Sequence, residues 1–289
     1  MTYTNEIVLG LGEDIYHAHP ALSSTGARQL LPEYKGSPKK FQWEQTHKRT
    51  STAFEIGHAT HSKVLGVGAG IVLYPPEHLT PSGNPSTKKE TVAWEVEQRT
   101  AGYTIVSPDD AKRVDAMAEA VLNHPTARPL FEVCDMREAS VFADIDGVPV
   151  RARFDALSAE TRNGTYAVDL KTTDDATPNG FTRSVHKWGY PVQVAHYDEV
   201  HKAATGRGID EFWIVAVEKA GPHEVGVYQI EPYWVDMARA KTAAARRIFA
   251  ECTASGVWPG YDETPQTLTA PAWAVIEHEM QYESAEINV

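Results

Sequence analysis

Apolar positions recur every three to four residues in the first half of the chain and every second residue in much of the second half. Residues 23–31 open with Ser23-Ser24-Thr25 and run through Ala27, Leu30 and Leu31. That predicts a short hydroxyl-capped helix ended near Pro32. Residues 53–66 read as a second helix, on which Gly57 and His61 are four apart and share a face. Residues 91–99 and 108–124 read as two more. The second opens Ser107-Pro108-Asp109-Asp110, an N-cap followed by proline at the first helical position. Between them, residues 75–90 carry Pro75-Pro76, Pro81-Ser82-Gly83-Asn84-Pro85 and Lys88-Lys89 and read as a flexible loop.

From residue 138 the period becomes two. Residues 139–150 predict two strands around an Asp146-Gly147 turn, and Val150 to Asp155 alternates as a strand. After a polar turn at Arg162-Asn163-Gly164, Tyr166-Ala167-Val168-Asp169-Leu170-Lys171 is another strand. Residues 190–204 predict a helix, 211–217 a buried strand and 223–230 one more strand. Residues 234–254 predict a long helix stopped at Gly256. The succession is that of an α/β chain. A single domain is expected over residues 1–260. The polar, proline-containing tail 261–289 is expected on the surface or against a partner subunit.

Composition narrows the class. A chain of 289 residues with 42% hydrophobic and 23% charged residues can bury a full core without a disulfide or metal staple. No apolar run approaches the ~20 residues of a membrane helix. The start, Met1-Thr2-Tyr3-Thr4-Asn5-Glu6, lacks a basic stretch followed by an apolar one, so no secretory signal is expected. Two cysteines, Cys134 and Cys252, cannot form a four-thiolate site and are expected as reduced thiols in a cytoplasm. The net charge of -12 repels nucleic acid on average. It argues against a DNA-coating protein, yet leaves room for an enzyme with a local basic groove and an acidic, metal-filled centre.

The candidate chemistry is Asp155, then a turn, then Asp169-Leu170-Lys171. Adjacent antiparallel strands place both carboxylates at one end of a sheet, and residues 169 and 171 share a strand face. Two carboxylates can hold Mg²⁺ through oxygen ligands. The lysine can orient an attacking water or help deprotonate it, and balance charge on a pentavalent phosphorus. The same D-x-K spacing also describes a surface ion pair worth ~0–1 kcal/mol. Downstream, Gln193 and Tyr197 are four apart on one helix face.

The ordered set Gly57-x-x-x-His61, Asp155, Asp169-x-Lys171 and Gln193-x-x-x-Tyr197 resembles the RecB-like branch of the PD-(D/E)xK nuclease superfamily. The resemblance is closer still to RecE (exonuclease VIII)-like phage-type exodeoxyribonucleases. Tyr16-His17-Ala18-His19-Pro20-Ala21-Leu22-Ser23-Ser24-Thr25 looks like that group's opening signature, and the resemblance covers about residues 14–252. It implies a restriction-endonuclease-like core with a mixed central sheet flanked by helices. It implies His61, Asp155 and Asp169 as metal ligands together with the Leu170 carbonyl, and Lys171 as the catalytic lysine. Gln193 and Tyr197 would position the DNA end or brace the metal site. The implied cofactor is Mg²⁺, with Mn²⁺ as a substitute. The implied activity is 5′→3′ degradation of duplex DNA ends to leave 3′ single strands for recombination. A single-strand annealing protein and a homo-oligomer are the implied partners. Phe154 stands where the family often has proline.

Other residues carry weaker signals. Glu138 is either an additional carboxylate near the site or a solvated residue at a strand start. His17 and His19 are expected on an irregular, exposed segment. Residues 1–50 turn basic toward their end, where Lys48 and Arg49 lie; Lys35, Lys39, Lys40, Lys88 and Lys89 are phosphate contacts or a solvated face. The seven tryptophans are read mainly as core residues, with base stacking as the alternative for Trp188. Two other functional classes stay open: a catalytically inactive nuclease-fold binding or interaction module, and a single-strand or structure-specific endonuclease. Presence of all six motif residues argues against the first.

Overall fold

The computed structural model describes residues 4–47, 52–160 and 164–283. Lys48, Arg49, the Arg162-Asn163 part of the predicted turn and tail residues 284–289 lie outside the described residues. The chain forms two compact units, Met1–Pro259 and Gly260–Val289.

The first unit begins with β1 (Glu6–Val8), α1 (Glu13–Ala18), α2 (Ser24–Leu30), α3 (Pro38–Thr46) and α4 (Thr52–Leu65). The strand β2 (Gly70–Leu73), the helix α5 (Lys89–Thr100) and the strand β3 (Tyr103–Val106) follow, with β2 and β3 paired in parallel. Next come α6 (Pro108–Asn123), α7 (Ala127–Val133), β4 (Met136–Ile145), β5 (Val148–Leu157) and β6 (Tyr166–Thr173). The unit continues through α8 (Pro178–Trp188), α9 (Tyr190–Thr205), β7 (Glu211–Glu218), β8 (Val225–Tyr228) and α10 (Pro232–Ser255). The second unit contains α11 (Ala272–His278), whose Trp273 and Ile276 are exposed.

The main sheet has six strands in the order β1-β4-β5-β6-β7-β8. Among the described residues of this sheet, β6 and β7 pair in parallel and every other neighbouring pair is antiparallel. A parallel pair needs a long crossover, and α8 with α9 supplies it. On one face of the sheet, Val150, Ala152 and Phe154 of β5 share a core with Val192, Ala195 and Val200 of α9. On the other, Val168, Leu170, Val215 and Val217 share a core with Ile56 and Ala59 of α4 and Val114 and Met117 of α6. Apolar residues on both faces of the central strands are what a sheet covered on both sides requires. Among the described residues, no helix is long and apolar enough to cross a membrane.

Local chemistry sets the element ends. Ser23 Oγ accepts the Gly26 N–H at 3.1 Å, and Ser107 Oγ accepts that of Asp110 at 3.1 Å, so both predicted caps form. Asp146 and Gly147 both have positive φ, 55° and 80°, the backbone that a two-residue hairpin demands. Gly256 ends α10 at φ 70°. The proline- and glycine-rich segment before α5 closes on itself. Thr80 N–H donates to the Asn84 carbonyl at 2.8 Å and Ser86 N–H to that of His78 at 2.8 Å.

Candidate active site

The site begins where the sheet opens. β5 and β6 are registered through Ala156–Val168 and Leu157–Ala167, with Ser158 N–H donating to the Tyr166 carbonyl below them and no register pair above, whereas β6 and β7 stay paired from Tyr166 to Thr173. Just past the last pair, the freed Leu170 N–H donates to Asp155 Oδ2 at 2.8 Å. The carboxylate thus fills the gap left by the departing strand and satisfies a backbone donor that would otherwise be orphaned.

The alternation of β5 breaks at the same place. Val148, Val150, Ala152 and Phe154 point to one core, Ala156 to the other, and Leu157 back to the first. Across from Asp155, in the register running from Arg137–Ala156 to Ala139–Phe154, Glu138 has φ 50°. A left-handed non-glycine residue inside a strand is rare, and such strain gathers at functional sites. Glu138 Oε2 accepts from Arg153 Nε at 2.6 Å and pairs with its Nη2 at 2.5 Å. Glu138 is therefore a partly buried, paired carboxylate beside the site; the solvated strand-start reading does not describe it.

His61 reaches the gap from α4, which Ile56, Ala59, Val64 and Leu65 bind to the sheet. Its Nδ1 lies 2.8 Å from the Gly57 carbonyl, its Nε2 2.8 Å from the Leu170 carbonyl and 3.2 Å from Asp155 Oδ2. All three partners are acceptors, so both ring nitrogens carry protons and the ring is an imidazolium. Burial opposes that charge, but the Asp155 carboxylate and the Gly57 carbonyl outweigh it and hold His61 up at about 9. Asp155 moves the other way. Burial raises it, while His61, Lys171 and the Leu170 N–H together bring it below the ordinary aspartate value.

Asp169 faces the opposite bank. It is buried, Gln193 Nε2 donates to its Oδ1 at 2.6 Å, and the Lys171 ammonium pairs with its Oδ2. Burial raises the Asp169 pKa, with Asp155 adding to the rise and Lys171 opposing it. Burial would lower Lys171, but Asp169, Tyr190 and Asp155 raise it above its ordinary value, so at neutral pH it is a cation rather than a base. Its Nζ stands 5.0 Å from the centre of the Tyr190 ring.

The sequence profile of a family described as a PDDEXK-like domain of unknown function (DUF3799) matches residues 33–271. The chain belongs to this family. A crystal structure described as a "Putative exonuclease" from Eubacterium rectale shares the fold of this PDDEXK-like chain. The TM-score is 0.62 at 14% identity, over 95% of this chain and 99% of that one. A structure described as SSO0001 matches at a TM-score of 0.30 and 13% identity over 71% of this chain and 86% of that one, too low to carry an argument. No curated protein matches the chain. The α/β expectation, a mixed central sheet flanked by helices, is the fold of this PDDEXK-like domain.

The six motif residues of the PDDEXK-like chain separate into layers. His61, Asp155, Asp169, Lys171 and Gln193 are linked by the contacts above. Tyr197, one helical turn beyond Gln193, is buried in the core, its ring centroid 4.8 Å from that of Phe154 and 6.1 Å from that of Phe212. Sequence reasoning missed Tyr190, which touches Lys171; the signal was the Gly189-Tyr190-Pro191 helix start immediately before Gln193. Trp188 is 53% exposed, which corrects its reading as a core residue. His17 lies in α1 rather than on an irregular segment. The His19 ring centroid is 4.7 Å from that of Phe142, and its Nδ1 accepts the Ala21 N–H at 3.2 Å.

Among the described residues no three His, Cys, Asp or Glu side chains form a ready metal cage. The donor set nevertheless suits a divalent cation. The His61 Nε2–H sits between a carbonyl and a carboxylate oxygen, holding a positive charge at the point where those oxygens converge. One imidazole with oxygen donors fits Mg²⁺ or Mn²⁺ and lacks the thiolates that softer ions prefer.

Proposed function

We propose that this PDDEXK-like chain is a Mg²⁺-dependent exodeoxyribonuclease that degrades linear duplex DNA from its ends. On this reading it works 5′→3′ in a cytoplasm and leaves 3′ single strands for recombination. Mn²⁺ serves as a substitute cofactor. The observation that carries the reading is the gap between β5 and β6, where two carboxylates, an imidazole and an ammonium meet around one freed backbone segment. The ordered motif set resembling RecE-like exodeoxyribonucleases supports the choice of DNA ends and polarity. It also supports a homo-oligomer working with a single-strand annealing protein. The Eubacterium rectale structure, itself described as a "Putative exonuclease", agrees in class.

His61 Nε2, Asp155, Asp169 and the Leu170 carbonyl would hold the cation, which supplies Lewis-acid neutralisation of phosphate charge. Gln193 fixes Asp169 through one carboxylate oxygen. Lys171 orients the attacking water and offsets the charge that builds on the phosphate oxygens as the P–O bond breaks. Tyr190 holds the lysine in place through its ring face.

The test is digestion of linear and covalently closed duplexes in Mg²⁺, with label on the 5′ or the 3′ end. Loss of the linear form alone, with early release of the 5′ label, is the expected result. Lys171→Ala should lower the single-turnover rate by ~10²–10³. Lys171→Arg should rescue poorly, because a guanidinium is wider and planar. Cleavage of closed circles would instead indicate an endonuclease. Equal rates for wild type, Lys171→Ala and Lys171→Arg would reduce the D-x-K pair to a structural ion pair.

A further inference from the structure

Helix α8 joins the strand bearing Asp169 and Lys171 to the helix bearing Gln193, and its two faces differ. Gly180, Phe181 and Val185 are buried. Arg183, His186 and Lys187 are exposed, and the helix contains no acidic residue. In a chain of net charge -12, a helix face that carries basic side chains and no acid departs from the average surface. The helix dipole accounts for His186 and Lys187 near the C-terminus. Arg183 reaches back toward Asp175, its Nη2 3.7 Å from Oδ2, and remains largely exposed; neither feature accounts for the indole that ends the helix.

Trp188 is 53% exposed, yet its backbone is tightly held. The next residue, Gly189, turns the chain at φ 65°, where a Cβ would lie 2.6 Å from the Tyr34 ring. Arg28 Nη1 donates to the Trp188 carbonyl, tying α2 to this corner. The Lys187 ammonium lies 4.9 Å from the centre of the indole. Two residues further on, Tyr190 touches Lys171. A large half-exposed aromatic on a fixed backbone, with a cation at its ring and this near the reacting lysine, is a stacking platform with much of its ordering cost already met.

We propose that the outer face of α8 is a docking surface for a DNA strand at the substrate end, with a base stacked on Trp188 and phosphates against Lys187 and Arg183. The proposal rests on the nuclease reading above. Charge complementarity selects a polyanion, and the exposed indole selects one with accessible bases.

Fluorescence anisotropy of a labelled short oligothymidylate in Ca²⁺ tests it, alongside an abasic strand of equal length. Trp188→Ala should weaken oligothymidylate binding about tenfold and leave the abasic strand unchanged, whereas Trp188→Phe should keep most of the affinity. Lys187→Ala should reduce the slope of log K against log salt by ~0.7 on both strands. Equal oligothymidylate affinity for wild type and Trp188→Ala would overturn the proposal, as would equal weakening on both strands. Cleavage of end-labelled duplex in Mg²⁺ by the same preparations separates the two readings. A wild type that neither cuts nor binds DNA defeats the nuclease reading. One that cuts DNA, with Trp188→Ala binding like wild type, defeats only the stacking surface.

Discussion

The two banks of the gap between β5 and β6 carry the same side chain in opposite surroundings. On the β5 bank, Asp155 accepts a backbone N–H and faces an imidazolium, and its pKa is lowered. On the β6 bank, Asp169 is more deeply buried, and its pKa is raised although Lys171 is its partner. The difference lies in what each bank supplies. α4 brings a titratable cation to Asp155, whereas α9 brings a neutral amide to Asp169. Two carboxylates pushed in opposite directions suit division of labour, one held toward its charged form and one whose charge depends on neighbouring cations.

The strongest way to break the comparison is to neutralise each bank separately. Asp155→Asn and Asp169→Asn should each cut cleavage by at least ~10²–10³, since each removes a candidate ligand. They should differ in what happens to His61. Without Asp155, burial dominates and the imidazole pKa should fall well below about 9. Without Asp169 it should stay high, because Asp155 and the Gly57 carbonyl still face the ring. Histidine resonances followed by NMR through a pH titration report this directly. An unchanged His61 titration in Asp155→Asn would show that the banks are not electrically distinct.

A smaller effect follows from the proton on His61. A metal ligand must be a neutral imidazole, so cation binding at Nε2 displaces that proton. With a pKa near 9 in the metal-free protein, binding at pH 7 should release close to one proton. Apparent affinity should then rise up to tenfold per pH unit until about pH 9. Calorimetry in two buffers of different ionisation enthalpy measures the release, and His61→Ala should abolish it. Stability runs in the opposite direction. His61 is raised from 6.5, so its contribution to the metal-free fold is complete below about 6.5 and is lost as pH rises through about 9. The chelated protein should therefore melt lower at pH 10 than at pH 6, and Mg²⁺ should reduce that difference.

How much of this was legible in the sequence depended on how local the cause was. Ser23, Ser107, Asp146-Gly147 and Gly256 act within one turn, and the caps and turn form where the residues predict them. Apolar runs located the central strands, both of whose faces are covered, and the helical period located the long helices that cover them. Helices α1, α3, α7 and α8 and strands β1 to β3 were not predicted; most are too short for the period to show, and tertiary packing fixes them. The motif set was readable as spacing, but the register that separates β5 from β6 after Ala156 is a property of two strands and cannot be read from either. The same holds for Glu138, whose left-handed backbone nothing in Arg137-Glu138-Ala139 announces.

The smallest expected effect belongs to Tyr197, and it distinguishes the site from its support. Gln193 and Tyr197 sit on one helix face, but Gln193 touches Asp169 while the Tyr197 ring packs against Phe154 and Phe212. Tyr197→Phe keeps that packing but removes a buried hydroxyl that bonds the Arg153 backbone, so it should cost about 1–3 kcal/mol of stability and leave the cleavage rate within about twofold. Tyr197→Ala opens a cavity between the sheet and α9 and should cost about 3–5 kcal/mol, lowering activity through the folded fraction alone. Gln193→Ala should do the reverse, slowing single-turnover cleavage because Asp169 loses its fixed orientation, with a smaller change in melting temperature than Tyr197→Ala. Melting curves and single-turnover rates on the three variants separate the cases. If Tyr197→Phe slows cleavage as much as Gln193→Ala at an unchanged melting temperature, the hydroxyl acts on the Asp169 bank, and the boundary between site and core moves one helical turn outward.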